Sequence, residues 1–224
     1  MGEVVGDLLP LALAVAISPI PVIAVILMLL APRAGRTSAG FLLGWIVGIV
    51  VAAVVFTALA RFAGLGAGGG PSTVASWIKI ALGVVLVGLA VRSWRSRPAG
   101  EQEPVVPKWM AAIDTFTPAK ACGLGFLLSA VNPKNLAMTV AAGVTVGGGA
   151  LPVGQIVVAL AVFMVVAAST VAGPVAVYAA AADRMTKPLE ALRRRLVRDN
   201  AVVTAVLLLT IGAVMLGKGI GGLS

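Results

Sequence analysis

The sequence predicts an all-α membrane protein of six transmembrane helices, arranged as two inverted three-helix repeats in which helices 1 and 4 are broken. Three observations carry this. The chain is 60% hydrophobic and only 11% charged, with a mean hydropathy of +1.08, whereas a soluble domain carries about 25% charge. So little charge cannot cover a globule with polar surface, so apolar surface must face lipid. The 224 residues divide into about six apolar runs, each near the roughly 20 residues that cross a bilayer. Two of those runs, the first and the fourth, carry a proline near the middle.

The first run extends from about Leu8 to Ala31. Glu3 and Asp7 precede it where a signal peptide would carry basic residues, and it exceeds the usual apolar core of such a peptide. It reads as a retained span. The second runs from about Ser38 to Ala60. The third, from about Thr73 to Val91, carries Lys79, whose stem can snorkel to the interface. The fourth runs from about Lys120 to Val146 and contains Lys134. The fifth runs from about Pro152 to Ala182 and the sixth from about Ala201 to Gly217. Glycine and proline punctuate the connections at Pro32–Gly35, Gly64–Pro71, Pro98–Pro107 and Gly147–Pro152.

Basic residues set the orientation. Arg33, Arg36, Arg92, Arg95, Arg97, Lys108, Lys120, Arg184, Lys187, Arg193, Arg194, Arg195 and Arg198 fall in the odd-numbered connections. Arg61, Lys79 and Lys218 fall on the other side. The positive-inside rule then places the odd connections in the cytoplasm and both termini outside a plasma membrane. Within the segment 183–199, Met185, Leu189, Leu192 and Leu196 recur at helical spacing among the arginines. This is a basic amphipathic helix on the inner leaflet, serving either as a topology anchor or as a reader of anionic headgroups.

The two broken runs match. Ser18-Pro19-Ile20-Pro21 in the first and Asn132-Pro133-Lys134-Asn135 in the fourth both place a small polar residue before proline. Each proline removes a backbone donor and prevents a straight helix. Three runs per half is odd, so the second half enters from the opposite side, which makes an inverted repeat. The halves are residues 1–95 and 120–224, joined by a cytoplasmic linker at 96–119. Broken backbone at membrane depth is tolerated only inside protein or beside a water-filled cavity. Ser18, Pro19, Pro21, Asn132, Pro133, Lys134 and Asn135 are therefore the candidate substrate-binding residues. Lys134 is too deep to snorkel, so its ammonium is expected to face a hydrated cavity between the first and fourth runs and to meet there an anionic part of a substrate or carbonyls freed by a break. Gly40, Gly44 and Gly48 form a smooth stripe for close helix packing, either within the protomer or in a homodimer.

The inventory argues against other classes. The net charge of +9 is accounted for by topology, which leaves no case for nucleic acid. With no histidine, one cysteine (Cys122) and no acid inside a run, neither a catalytic constellation nor a metal or cofactor site is expected. No phosphate-binding P-loop sequence is present.

The broken first run, the Asn132-Pro133-Lys134 of the fourth, the length and the span number together resemble the LysE superfamily of exporters. Gly6-Asp7-Leu8-Leu9-Pro10, the stretch Ala16 to Leu29 and the stretch Ala39 to Trp45 are similar to its GAP branch, which addresses peptidoglycolipids and sulfolipids to the cell surface. The resemblance covers essentially the whole chain. It implies an exporter or flippase of an envelope lipid or glycolipid, and it transfers no catalytic residue. Ile20 stands where other members have glycine between the prolines, so their solute specificity does not carry over. Two alternatives remain at this stage: a LysE-type exporter of an amino acid or ion, and a non-transporting subunit of a lipid-export machinery.

Overall fold

The computed structural model describes residues 1–65, 73–97, 112–149 and 151–223, without the side chains of 182–186 and 197–200. Most of the expected Gly64–Pro71 loop, most of the linker, and the side chains of Arg184, Met185 and Arg198 thus lie outside the described residues. The described residues form helices only: α1 (Gly2–Ala16), α2 (Pro19–Leu30), α3 (Ala34–Phe62), α4 (Thr73–Arg95), a 3-10 turn (Ile113–Thr115), α5 (Pro118–Ala130), α6 (Pro133–Gly147) and α7 (Val153–Gly221). The backbone of α7 leaves helical geometry at Ala181 (φ −151°, ψ 49°), which separates two spans, Val153–Ala181 and Ala201–Gly221.

Among the described residues, four helices are long and apolar enough to cross a membrane: α3, α4 and the two spans of α7. A fifth span forms if α1 and α2, bent by 50° at their break, count as one. The expected fourth run is resolved into α5 and α6, of 13 and 15 residues, each too short to cross alone. Both breaks fall where proline dictates. Pro19 and Pro133 each sit in the first turn of the helix that follows, where the missing N–H costs nothing and the fixed φ is already helical.

Large apolar side chains such as Leu43, Val54, Leu59, Val84 and Val165 point outward, and Leu8, Leu11, Ile26, Met28, Phe41, Trp45 and Phe163 fill the interior. With lipid as apolar as the core, packing rather than hydrophobic transfer holds the bundle. Glycines carry the closest approaches. A Cβ on Gly40 would stand 2.5 Å from the Pro118 carbonyl oxygen, and one on Gly44 would stand 1.9 Å from that of Cys122. A Cβ on Gly48 would stand 1.9 Å from the Ser129 hydroxyl. The stripe is thus occupied by α5 of the same protomer. Of the two packing roles expected for it, the stripe serves the one within the protomer.

The same contacts fix direction. Gly40 meets Pro118, Gly44 meets Cys122, Gly143 meets Phe56 and Gly147 meets Ala60. The broken pair α5–α6 therefore runs parallel to the 29-residue α3 along nearly its full length. One end of the bundle gathers Asp7, ion-paired with Lys218, and Arg61, whose Nη1 donates to the Leu151 carbonyl at 3.1 Å. The other end gathers the start of α3 with Arg33 and Arg36, the end of α4 with Arg92 and Arg95, and the start of α5 with Lys120. There the Ser93 hydroxyl donates to the Ala201 carbonyl at 2.9 Å. α1 begins at the Asp7–Lys218 end, and α5 begins at the basic end. From Gly2 to Arg95 the helix lengths run 15, 12, 29 and 23 residues, and from Pro118 to Gly221 they run 13, 15, 29 and 21.

Candidate functional site: the clamped break of the first helix

The break after Ala16 frees the last carbonyls of α1, and buried carbonyls need donors. Two arrive from the second half of the chain. Lys134 Nζ donates to the Ile17 carbonyl at 3.3 Å, and Thr170 Oγ1 donates to the Ala16 carbonyl at 2.6 Å. Lys134 is only 7% exposed. Of the two partners its depth allowed, the structure places it on the broken-helix carbonyl. The reach of Lys134 to Ile17 also links the second break to the first.

The second break is held by side chains of its own. Asn132 is the N-cap of α6, and its Oδ1 accepts from the Lys134 backbone N–H at 3.1 Å. Asn135, fully buried, donates from Nδ2 to the Leu128 carbonyl across the break at 2.8 Å. Its Oδ1 is buried without a partner among the described residues. Thr139 Oγ1 donates to the Asn135 carbonyl at 2.8 Å. Asn132 and Asn135 thus shape the turn, which in turn aims Lys134 at Ile17. Ser18 is the N-cap of α2 but makes no side-chain cap bond, although it is buried.

Beside the first break lies a cavity of about 270 Å³. Ala16, Ile17, Ser18, Pro19 and Val22 line it on one side, with Thr170 and Pro174 of α7 opposite. Leu192, Leu196 and Val203 close it toward the basic end. Its walls are almost wholly apolar. Of the residues expected from sequence, Ser18 and Pro19 line this cavity. Pro21, Asn132, Pro133, Lys134 and Asn135 do not: the last four build the clamp behind it, and Pro21 is buried in α2. Thr170, Pro174, Leu192, Leu196 and Val203 were missed. Pro174 was visible as a proline inside an apolar run. It weakens the helix at its own i−4 position, which is Thr170.

The amphipathic segment has a defined inner face. Leu189 is buried and Leu196 packs against the core, while Arg194 and Arg195 are exposed. The expected stripe therefore faces the protein as well as any membrane surface.

The family described as Sap, sulfolipid-1-addressing protein, matches residues 8–221. The chain belongs to that family. No curated protein and no solved structure gives a match. The nearly all-apolar lining suits hydrocarbon, and the segment that carries Leu192 and Leu196 also carries Arg193, Arg194 and Arg195.

Proposed function

We propose that this protein moves an anionic envelope lipid of the sulfolipid class across the plasma membrane, from the basic, cytoplasmic end toward the outer face. The carrying observation is the apolar cavity at the clamped break. An acyl chain would occupy the space between Val22, Pro174 and Leu196, and the headgroup would remain with the arginines of 193–195. Weakened points on two helices, the Ser18–Pro19 break and Pro174, face each other there, which is where a membrane helix yields most readily. Lys134 acts as a positioning residue that holds the break, not as the headgroup's partner. An amino acid or ion exporter would need polar lining, which this cavity lacks.

The reading includes six crossings in two inverted repeats, in kinship with LysE-type exporters. Three features support it. The Asp7–Lys218 pair brings both chain ends to one end of the bundle, as an even number of crossings requires. The α5–α6 pair tracks α3 along its length. The halves begin at opposite ends with matching orders of helix length. The asymmetry of basic residues supports a cytoplasmic basic end. Export rather than enzymatic work is supported by the lack of histidine in the sequence and by acids that stop at Asp7, near the start of α1, and do not recur inside the spans.

Purified protein in vesicles holding a fluorescent sulfated glycolipid tests this, with quenching read from one leaflet. Leu192→Trp and Leu196→Trp fill the cavity and should slow translocation by about tenfold or more. Val165→Trp, on the outward face, should leave it unchanged. Equal rates for all three would overturn the reading. A wild-type protein inert alone but active with other envelope proteins would point instead to an accessory subunit.

A further inference from the structure

A second groove lies away from the break, between the end of α4 and the last span. It has a volume of about 340 Å³ and is lined by Ala90, Val91, Trp94 and Arg95 on one wall and by Ala205, Val206 and Leu209 on the other. Its lining is nearly all apolar, except at the rim. There Arg95 stands at the mouth, and the guanidinium of Arg97 lies 4.0 Å from the centre of the Trp94 ring. The Ser93–Ala201 hydrogen bond holds the two helices together just beyond it.

Depth decides what this groove can take. It spans residues 90–95 of α4, a rise of roughly 8 Å at about 1.5 Å per residue, and ends with that helix at Arg95. An apolar trough open to lipid, capped by a half-exposed tryptophan and two arginines, has the layering of a lipid molecule: hydrocarbon below, aromatic at the interface, cation at the headgroup level. Stacking on Trp94 fixes the Arg97 guanidinium and leaves its in-plane N–H donors free to point at an anion. A zwitterionic headgroup would bring a second cation against the two arginines. An anionic phosphodiester headgroup would not.

We propose that this groove binds an anionic phospholipid of the leaflet at the basic end, with one acyl chain between Val91 and Val206 and the phosphate on Arg95 and Arg97. The site shares no residue with the cavity at the first break, so a resident lipid here is not the transported one. It would brace α4 against the last span and anchor that end of the bundle to an anionic leaflet.

Native mass spectrometry of the full chain, purified from vesicles containing equal parts phosphatidylglycerol and phosphatidylcholine, tests this. The expected result is retained phosphatidylglycerol in preference to phosphatidylcholine. Arg95→Gln should lower that retention about fivefold, as the loss of one interfacial arginine predicts. Arg36→Gln, exposed at the same end, should not. Val206→Trp should expel both lipids. Its folding is checked by thermal unfolding, and Arg95→Gln, at an exposed position, decides the matter if that variant fails to fold. Equal retention of the two lipids, or equal losses for Arg95→Gln and Arg36→Gln, would overturn the proposal. So would a disulfide-linked dimer formed by Val206→Cys in a Cys122→Ala background, which would give the groove to a second copy.

Discussion

Alanine at position 44 should damage this protein far more than its size suggests. In α3, a Cβ on Gly44 would stand 1.9 Å from the Cys122 carbonyl oxygen, 2.7 Å from its carbon and 2.9 Å from its Cα. The obstruction is backbone, which cannot rotate aside. Restoring ordinary contact at about 3.4 Å requires α3 and α5 to part by about 1.5 Å, and dispersion contacts along the seam weaken steeply over such a gap. Parting them would also loosen Gly40 against Pro118 and Gly125 against Phe41, where would-be Cβ atoms stand 2.5 and 2.2 Å from carbonyl oxygens. Overpacking of this kind costs about 1–3 kcal/mol, and a rigid obstruction belongs at the upper end. Helix propensity returns about 1 kcal/mol. A net loss of about 2 kcal/mol is expected. Gly88 and Gly123 are the controls, since a Cβ on either meets nothing within 4 Å. Alanine there should gain up to about 1 kcal/mol. Thermal unfolding in detergent, followed by tryptophan fluorescence, measures both. If Gly44→Ala melts with Gly88→Ala, the helix approach inferred here is wrong. If it instead splits a dimer without lowering the melting temperature, the stripe faces a second copy.

Three further outcomes are expected. Lys134→Met leaves the Ile17 carbonyl without its donor and should destabilise the protein by about 1–3 kcal/mol, with Thr170→Val acting likewise on the Ala16 carbonyl; a melting temperature unchanged by either would remove the clamp. Asn132→Ala removes the α6 N-cap at a cost of about 1 kcal/mol, and glycine at the same position should cost only a few tenths; equal losses would show that the cap bond is not the source. In a Cys122→Ala background, Leu223→Cys should react with an impermeant thiol reagent on intact cells and Ser96→Cys should not; the opposite pattern would invert the orientation.

Much of this architecture can be read in one dimension because proline and apolar length act locally. Pro19 and Pro133 announced both breaks, and the runs from Ser38 and Thr73 appear as α3 and α4 with ends shifted by a few residues. What stayed hidden depends on partners far apart in the chain. Nothing beside Lys134 reveals that its ammonium reaches a carbonyl 117 residues earlier, because helix periodicity carries no information about which helix lies opposite. The glycine stripe declared a close approach without declaring to whom. The departure from helical geometry at Ala181, by contrast, was legible: it falls one residue before the expected end of the fifth run at Ala182, where the apolar residues give way to Asp183 and Arg184. The cavity was the least legible feature, since half of its wall comes from Thr170, Pro174, Leu192, Leu196 and Val203, and none of these lies in either break.

The two donors that close the first break have a consequence for biogenesis. Lys134 and Thr170 lie 117 and 154 positions beyond the carbonyls they serve. Translation at roughly 5–20 residues per second makes Thr170 available roughly 8–30 s after Ala16 leaves the ribosome's catalytic centre. During that interval the end of the first helix has carbonyls that lipid cannot satisfy. The nascent amino-terminal half must then wait in a place that offers water or other donors, such as the insertion channel or the interface, until the second half arrives. A ribosome stalled after α4 should therefore leave an amino-terminal half that remains cross-linkable to the insertion machinery, and one stalled beyond Thr170 should release it.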